Sequence, residues 1–224
     1  LFALTEPEAG SDIMSMKTNA RRDGEDWILN GSKHFISGPV MPDFAIVFAV
    51  TGMDETERGR RKRVTAFLVD VGTEGFDISE GTRSVSYRGY LTFQLGFSDA
   101  RLGPGQILGE EGRGLELSGK WLSMNRVWVG ASCCGKAERL LNLAAEWAST
   151  RKQFGQPIGK FQATGFKLAD MAVELKAADL LVMDAVAKGD KGKMSDSDAA
   201  MVKLFCSEML NRTADHTVQI YGGM

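Results

Sequence analysis

Three of the usual carriers of chemistry are scarce in this chain of 224 residues: it has two histidines, three cysteines and no phosphate-binding glycine loop of the Walker type. Cys133, Cys134 and Cys206 leave one thiol over in any disulfide scheme and show no metal-ligand spacing. Two adjacent cysteines in an odd set suit a reducing compartment, with all three as small buried hydrophobes. No apolar run reaches the roughly 20 residues that span a bilayer, and no leader peptide is visible. The formal charge of −2 gives no footprint for nucleic acid or a membrane surface. Gly103, Gly105 and Gly109 miss the Gly-x-Gly-x-x-Gly dinucleotide pattern and lack a βαβ unit around them. Gly109-Glu110-Glu111-Gly112-Arg113-Gly114 is acidic, which fits a turn leading into a helix better than a phosphate cradle.

What is present divides into two compositions. Through the first hundred or so residues, apolar runs of strand length alternate with glycine and acidic clusters, as in a sandwich or barrel. Trp27-Ile28-Leu29 leads to Asn30-Gly31, a turn signal, and Lys33-His34-Phe35-Ile36 resumes the strand. Strand alternation places His34 and Phe35 on opposite faces. Ala45–Val50, Val64–Val69 and Leu91–Phe97 are further strands. Arg58-Gly59-Arg60-Arg61-Lys62-Arg63 follows Asp54, Glu55 and Glu57, which predicts a solvated hairpin loop rather than a nucleic-acid patch.

The composition changes at Leu102-Gly103-Pro104-Gly105, giving a β-domain over 1–104 and a helical domain over 105–224. The helical spacing predicts one long helix from Gly114 to about Thr150 and a second over roughly Ala163 to Lys188. A third opens at Ser195-Asp196-Ser197-Asp198, good capping chemistry, and runs to about Thr217. Met201, Phe205 and Met209 recur every four residues, which predicts a stripe facing a partner helix. The class is α+β: an antiparallel β-sandwich or barrel-like module, then an antiparallel α-helical bundle.

Four stretches carry a more specific signal. They are Leu4-Thr5-Glu6-Pro7 with Ala9-Gly10-Ser11-Asp12, then Asn30-Gly31-Ser32-Lys33-His34-Phe35-Ile36-Ser37. Next comes Arg151-Lys152-Gln153-Phe154-Gly155-Gln156-Pro157-Ile158-Gly159-Lys160-Phe161-Gln162, and last Gln219-Ile220-Tyr221-Gly222-Gly223. Taken alone, the first reads as a surface turn, Phe35 as a buried strand aromatic, and Arg151 as a cation favoured near a helix C-terminus. Together and in register, the four resemble the acyl-CoA dehydrogenase family over essentially the whole chain.

That resemblance implies FAD held without a Rossmann fold, in a cleft between the two domains. It places Phe2, Leu4, Thr5, Gly10 and Ser11 along the flavin ring and pyrophosphate, with Thr5 and backbone amides as donors. Phe35, Ile36 and Ser37 belong beside the flavin, Phe35 stacking and Ser37 offering a hydroxyl to the reactive edge. Gly38-Pro39 departs from the usual asparagine. Arg151, Gln153, Phe154, Phe161 and Gln162 reach a neighbouring subunit's FAD, and Gln219, Gly222 and Gly223 contact the adenosine part. Arg126, 25 residues ahead of Arg151, matches an arginine near the acyl-CoA site, which Ser11 also approaches. Asn125 stands where some members carry the base, and an amide cannot take a proton as a carboxylate does. The usual glutamate base is expected past Met224, so the chain reads as an internal stretch of a longer enzyme, with no catalytic residue of its own and little activity alone.

The reaction so implied removes an α-proton and a β-hydride from an acyl-CoA thioester, giving a trans-2-enoyl-CoA. The hydride goes to FAD, and its electrons pass to an electron-transferring flavoprotein. Homodimers or homotetramers in bacterial cytoplasm or mitochondrial matrix, with no nucleic-acid or membrane partner, complete the expectation. An acyl-CoA oxidase, an enoyl-CoA reductase, a flavin monooxygenase and a non-catalytic assembly or docking subunit remain open on the same scaffold.

Overall fold

The computed structural model describes residues 1–57, 59–85 and 87–224, so Arg58 of the basic run lies outside the described residues. The chain forms two compact units, Leu1–Gly119 and Lys120–Met224.

The first unit is built on β1 (Phe2–Ala3), β2 (Asn19–Asp23), β3 (Asp26–Gly38), β4 (Phe44–Thr56), β5 (Gly59–Asp70), β6 (Phe76–Glu80) and β7 (Leu91–Leu102). They join in one sheet in the order β1-β4-β2-β3-β7-β6, with β5 on β4. The long pairings β3–β7 and β4–β5 are antiparallel, as expected. The short pairings of β1 and β2 to β4 are parallel, because the β2–β3 hairpin intervenes before the chain returns along them. Trp27, Leu29, Phe67, Phe93, Leu95 and Leu102 fill the core, with Trp27 edge-on to Phe67 at 5.7 Å. Burial of side chains this large stabilises by about 1.5–3 kcal/mol each.

Three sequence expectations need correction here. Asn30-Gly31 is not a turn: β3 runs straight through it with a register shift between Leu29 and Gly31. Gly31 lies at φ 137°, and a Cβ there would stand 2.6 Å from Thr18 Cα, so the glycine admits a crossing chain. The Asn30 side chain is spent on Asp99, giving and accepting a bond of 2.9 Å each. The actual tight turn is Gly24-Glu25, between paired Asp23 and Asp26.

The basic run, secondly, is not a loop. Gly59–Arg63 begins β5, where Arg60, Arg61 and Lys62 face Glu55, Asp54 and Met53 across the pair. Arg60 reaches Glu55 at 3.2 Å and Arg63 reaches Asp54 at 2.6 Å, so cross-strand opposite charges order the segment.

His34 and Phe35, thirdly, do not face opposite ways. A bulge between Lys33 and Ile36 turns both outward, their rings 4.0 Å apart, while Lys33 and Ile36 point in.

The second unit carries α1 (Gly114–Thr150), whose first turn belongs to unit 1, then β8 (Lys152–Gln153), β9 (Gln156–Pro157), α2 (Gln162–Asp190) and α3 (Asp196–Tyr221). The expected three helices are all there. Ser195 caps α3 as its composition suggests: its Oγ accepts from Asp198 N at 3.1 Å, and the Asp198 carboxylate accepts from Ser195 N at 2.9 Å. Contacts Glu174–Arg212 and Lys188–Asp198 run α2 against α3 antiparallel. Cys134–Cys206 and Leu143–Tyr221 make α1 and α3 parallel, so the bundle is up-down-up. The expected Met201-Phe205-Met209 stripe is misplaced by one position at its start. Ala199, Val202, Cys206, Met209 and Thr213 form the buried face, and Met201 is exposed. Small residues win there because Val202 lies directly against Gly130 of α1, where no Cβ fits. All three cysteines are buried and free. No described helix is long and apolar enough to cross a membrane.

Candidate functional site

In the first unit the signature segment 2–11 and the β3 bulge are one construction. Phe2 is fixed by β1 and packs on Phe48 at 4.9 Å, and Leu4 joins the same apolar cluster. Glu6 and Ala9 exchange backbone bonds of 3.1 and 3.2 Å, closing a tight turn over Pro7-Glu8. The Thr5 carbonyl then accepts from the His34 amide at 2.9 Å, laying the segment against the bulge. The side chain of Ile36 is in the core, which leaves its backbone as the part able to meet a ligand. Phe35 sits at φ 54° and is 58% exposed. A left-handed backbone costs a non-glycine residue about 1–3 kcal/mol, a strain found most often at ligand sites. Ser37 is exposed, its hydroxyl donating weakly to the Phe35 carbonyl at 3.4 Å.

Sequence reasoning missed the group that holds this together. Lys33 is wholly buried, and its ammonium donates to Glu6 Oε1 at 2.8 Å and to the Leu4 carbonyl at 3.1 Å. Glu6 also accepts from the Lys17 amide at 2.6 Å and the Thr18 amide at 3.1 Å. Burial works against the carboxylate, but these bonds prevail and hold Glu6 below the usual carboxylate range. Burial also pushes Lys33 below its ordinary value, with Glu6 opposing. No local pattern announces the pair, since its partners lie 27 residues apart and meet only when residues 4–6 cross β3.

The second unit gathers another set at one end. Past α1, Gln153 and Gln156 pair across the two-residue turn Phe154-Gly155, both with positive φ. Phe154 is 93% exposed there, and its ring meets Phe161 edge-on at 6.0 Å. Arg151 is exposed, its guanidinium 5.9 Å from the centre of the Trp147 ring, and its carbonyl accepts from Ile158 N at 2.8 Å. Trp147 stacks on Tyr221, the last residue of α3, which brings Gln219, Gly222 and Gly223 to the same end; Gln162 opens α2 nearby. Arg126 is elsewhere. It stands 25 residues back along the α1 rod, roughly 37 Å away at about 1.5 Å per residue.

The donor set fits a flavin. Among the described residues neither the Thr5 nor the Ser11 hydroxyl has a protein partner. An aromatic face stands open at Phe35, next to the His34 amide that holds Thr5, so a planar ring with acceptor edges would find both stacking and a donor there.

Comparison with known proteins gives the family. Residues 1–100 match the acyl-CoA dehydrogenase middle domain and residues 112–224 the acyl-CoA dehydrogenase C-terminal domain. A 3-(aryl)acrylate reductase of Clostridium sporogenes is 40% identical over 99% of this chain and 58% of its own. An acyl-CoA dehydrogenase of Bacillus subtilis is 38% identical over the same shares. The caffeyl-CoA reductase-Etf complex subunit CarC of Acetobacterium woodii is 37% identical, also over 99% and 58%. Among solved structures, butyryl-CoA dehydrogenase of Megasphaera elsdenii superposes with a TM-score of 0.90 at 37% identity, over 99% of this chain and 57% of that one. PigA, solved with FAD and proline, gives 0.92 at 32% over the same shares. The chain thus spans less than three fifths of the length of these relatives. With both of its halves matched and its fold shared, the chain belongs to the acyl-CoA dehydrogenase family.

Proposed function

We propose that this chain supplies the cofactor-holding part of an FAD-dependent acyl-CoA dehydrogenase that converts an acyl-CoA thioester to its trans-2-enoyl-CoA. The observation that carries the reading is the locked pairing of the signature segment with the β3 bulge, Thr5 carbonyl to His34 amide at 2.9 Å, beside a strained, outward Phe35. FAD, when bound, supplies the acceptor for the β-hydride. Thr5, Ser11 and Ser37 orient it by neutral hydrogen bonds, Phe35 excludes water from one side, and Ile36 contributes through its backbone. The α-proton needs a carboxylate; Glu6 is committed to Lys33 and two amides, and the base proposed here is the glutamate that the family resemblance places beyond Met224.

The distance between Arg126 and Arg151 favours at least two subunits. Arg126 serves acyl-CoA at one site, while Arg151, Gln153, Phe154, Phe161, Gln162, Gln219, Gly222 and Gly223 serve another copy's FAD. The bare Phe154 tip suits such a contact. An electron-transferring flavoprotein is the proposed acceptor, in line with the Etf-complex relative.

The test is a visible absorption spectrum of the intact protein titrated with acyl-CoAs of graded length. A bound flavin band that bleaches with one length class supports the proposal, and a colourless protein that takes up no added FAD ends it. One observation favours a second reading, that of a reductase: two of the relatives are a 3-(aryl)acrylate reductase and a caffeyl-CoA reductase subunit. Dithionite-reduced protein reoxidised by a cinnamoyl-type thioester faster than by air, with no bleaching by saturated acyl-CoAs, would select it.

A further inference from the structure

We propose that Lys33 is a positioning residue for the flavin: its buried ammonium fixes the spacing between the signature segment and the β3 bulge, so that Thr5 and Phe35 meet one cofactor face together. This rests on the function proposed above. The geometry is that of a clamp. Lys33 leaves β3 one residue before His34, whose amide holds the Thr5 carbonyl, and two before Phe35. Its side chain passes inward and binds both neighbours of Thr5, the Leu4 carbonyl at 3.1 Å and the Glu6 carboxylate at 2.8 Å. Thr5 is thereby held on three sides by a single turn of β3. Glu6 extends the clamp to the amides of Lys17 and Thr18, tying the far end of the same loop.

A charged pair with 0% and 5% side-chain exposure is a poor way to gain stability, since apolar residues of similar volume often do as well. Its geometric product is different: a point charge with directed donors sets distances that an apolar contact leaves free to slide. The ammonium and the carboxylate are spent on each other and on the Leu4 carbonyl and the Lys17 and Thr18 amides, away from solvent, so the two work as one structural unit.

The experiment compares the intact wild type with Lys33→Met and with the double variant Glu6→Gln/Lys33→Met, each stripped of flavin. Thermal midpoints and FAD dissociation constants, from quenching of flavin fluorescence, are read together with the visible circular dichroism of the bound flavin. We expect the double variant to recover most of the midpoint lost by the single one while still binding FAD at least tenfold more weakly and with an altered dichroic band. A double variant that binds FAD within twofold of wild type overturns the proposal. Should neither variant fold, hydrogen exchange on the wild type decides. Added FAD should protect the amides of residues 4–18 and 33–37 in concert, and protection of one stretch alone rejects the clamp. Wild-type protein that binds no FAD at all refutes the parent reading instead, which separates the two failures.

Discussion

Trp147 and Tyr221 stack almost flat on each other, ring centres 5.1 Å apart and planes 6° from parallel, and so pin the last turn of α3 to the last turn of α1. The Tyr221 hydroxyl adds a bond of 3.3 Å to the Leu143 carbonyl. Tyr221→Phe should keep the stack and lose about 0.5–1.5 kcal/mol. Tyr221→Ala should lose about 3 kcal/mol or more and shift the Trp147 emission. Urea denaturation followed by tryptophan fluorescence measures both. A Tyr221→Ala variant as stable as wild type would mean that the stack holds nothing.

The Lys33–Glu6 pair predicts an asymmetry between single and double removal. Lys33→Met leaves a buried carboxylate unpaired and should cost about 3–5 kcal/mol, whereas removing both charges should cost much less. A double-mutant cycle in urea gives the coupling, and simple additivity would contradict it.

The same pair predicts an acid response. Glu6 is held below its ordinary range, so its contribution is present above the unfolded carboxylate value near 4.5 and is lost as pH falls through the folded value. The urea midpoint of the wild type should therefore drop below about pH 4.5 more steeply than that of Glu6→Gln. Parallel curves would show that Glu6 titrates as an ordinary surface acid.

Phe35→Gly separates fold from site. Glycine accepts φ 54° without strain, so the variant should be more stable by about 0.5–1 kcal/mol, or at least no less stable. With the aromatic face gone, FAD affinity should fall tenfold or more. A loss of stability with unchanged flavin affinity would show that Phe35 serves packing alone.

Gly130 lies where α1 approaches α3 closely, and a Cβ there would run into Val202 Cγ1. Gly130→Ala gains up to about 1 kcal/mol of helix propensity but meets an overpacking cost of about 1–3 kcal/mol. The variant should be less stable in urea, and adding Val202→Ala should turn the effect around.

Much of this fold could be read from the sequence because its signals are local. Gly114 and Thr150 bound α1 as the composition says, and Ser195 and Asp198 cap α3 through a four-residue pattern. What escaped was long-range. Asn30-Gly31 carries a turn signal, yet Thr18 crossing above Gly31 and Asp99 bonded to Asn30 keep it in the strand, opposite an extra residue in β7. The bulge at Lys33–Ile36 breaks the period of two that placed His34 opposite Phe35. Met201 lost its place to Val202 because close helix contact prefers the smaller side chain. For the site, the family motifs named the residues proposed to meet a ligand. The buried Lys33–Glu6 link behind them has no signature, since a lysine in a strand looks the same whether solvent or a carboxylate awaits it.

The rod of α1 has one last consequence. It sets Arg126 and Arg151 some 37 Å apart on a single stiff strut, at about 1.5 Å per residue, so under the function proposed above, in which each arginine serves a different copy's site, a solitary chain would complete neither. Retention of the yellow colour should then depend on protein concentration: dilution would bleed the cofactor away, and reconcentration would draw it back.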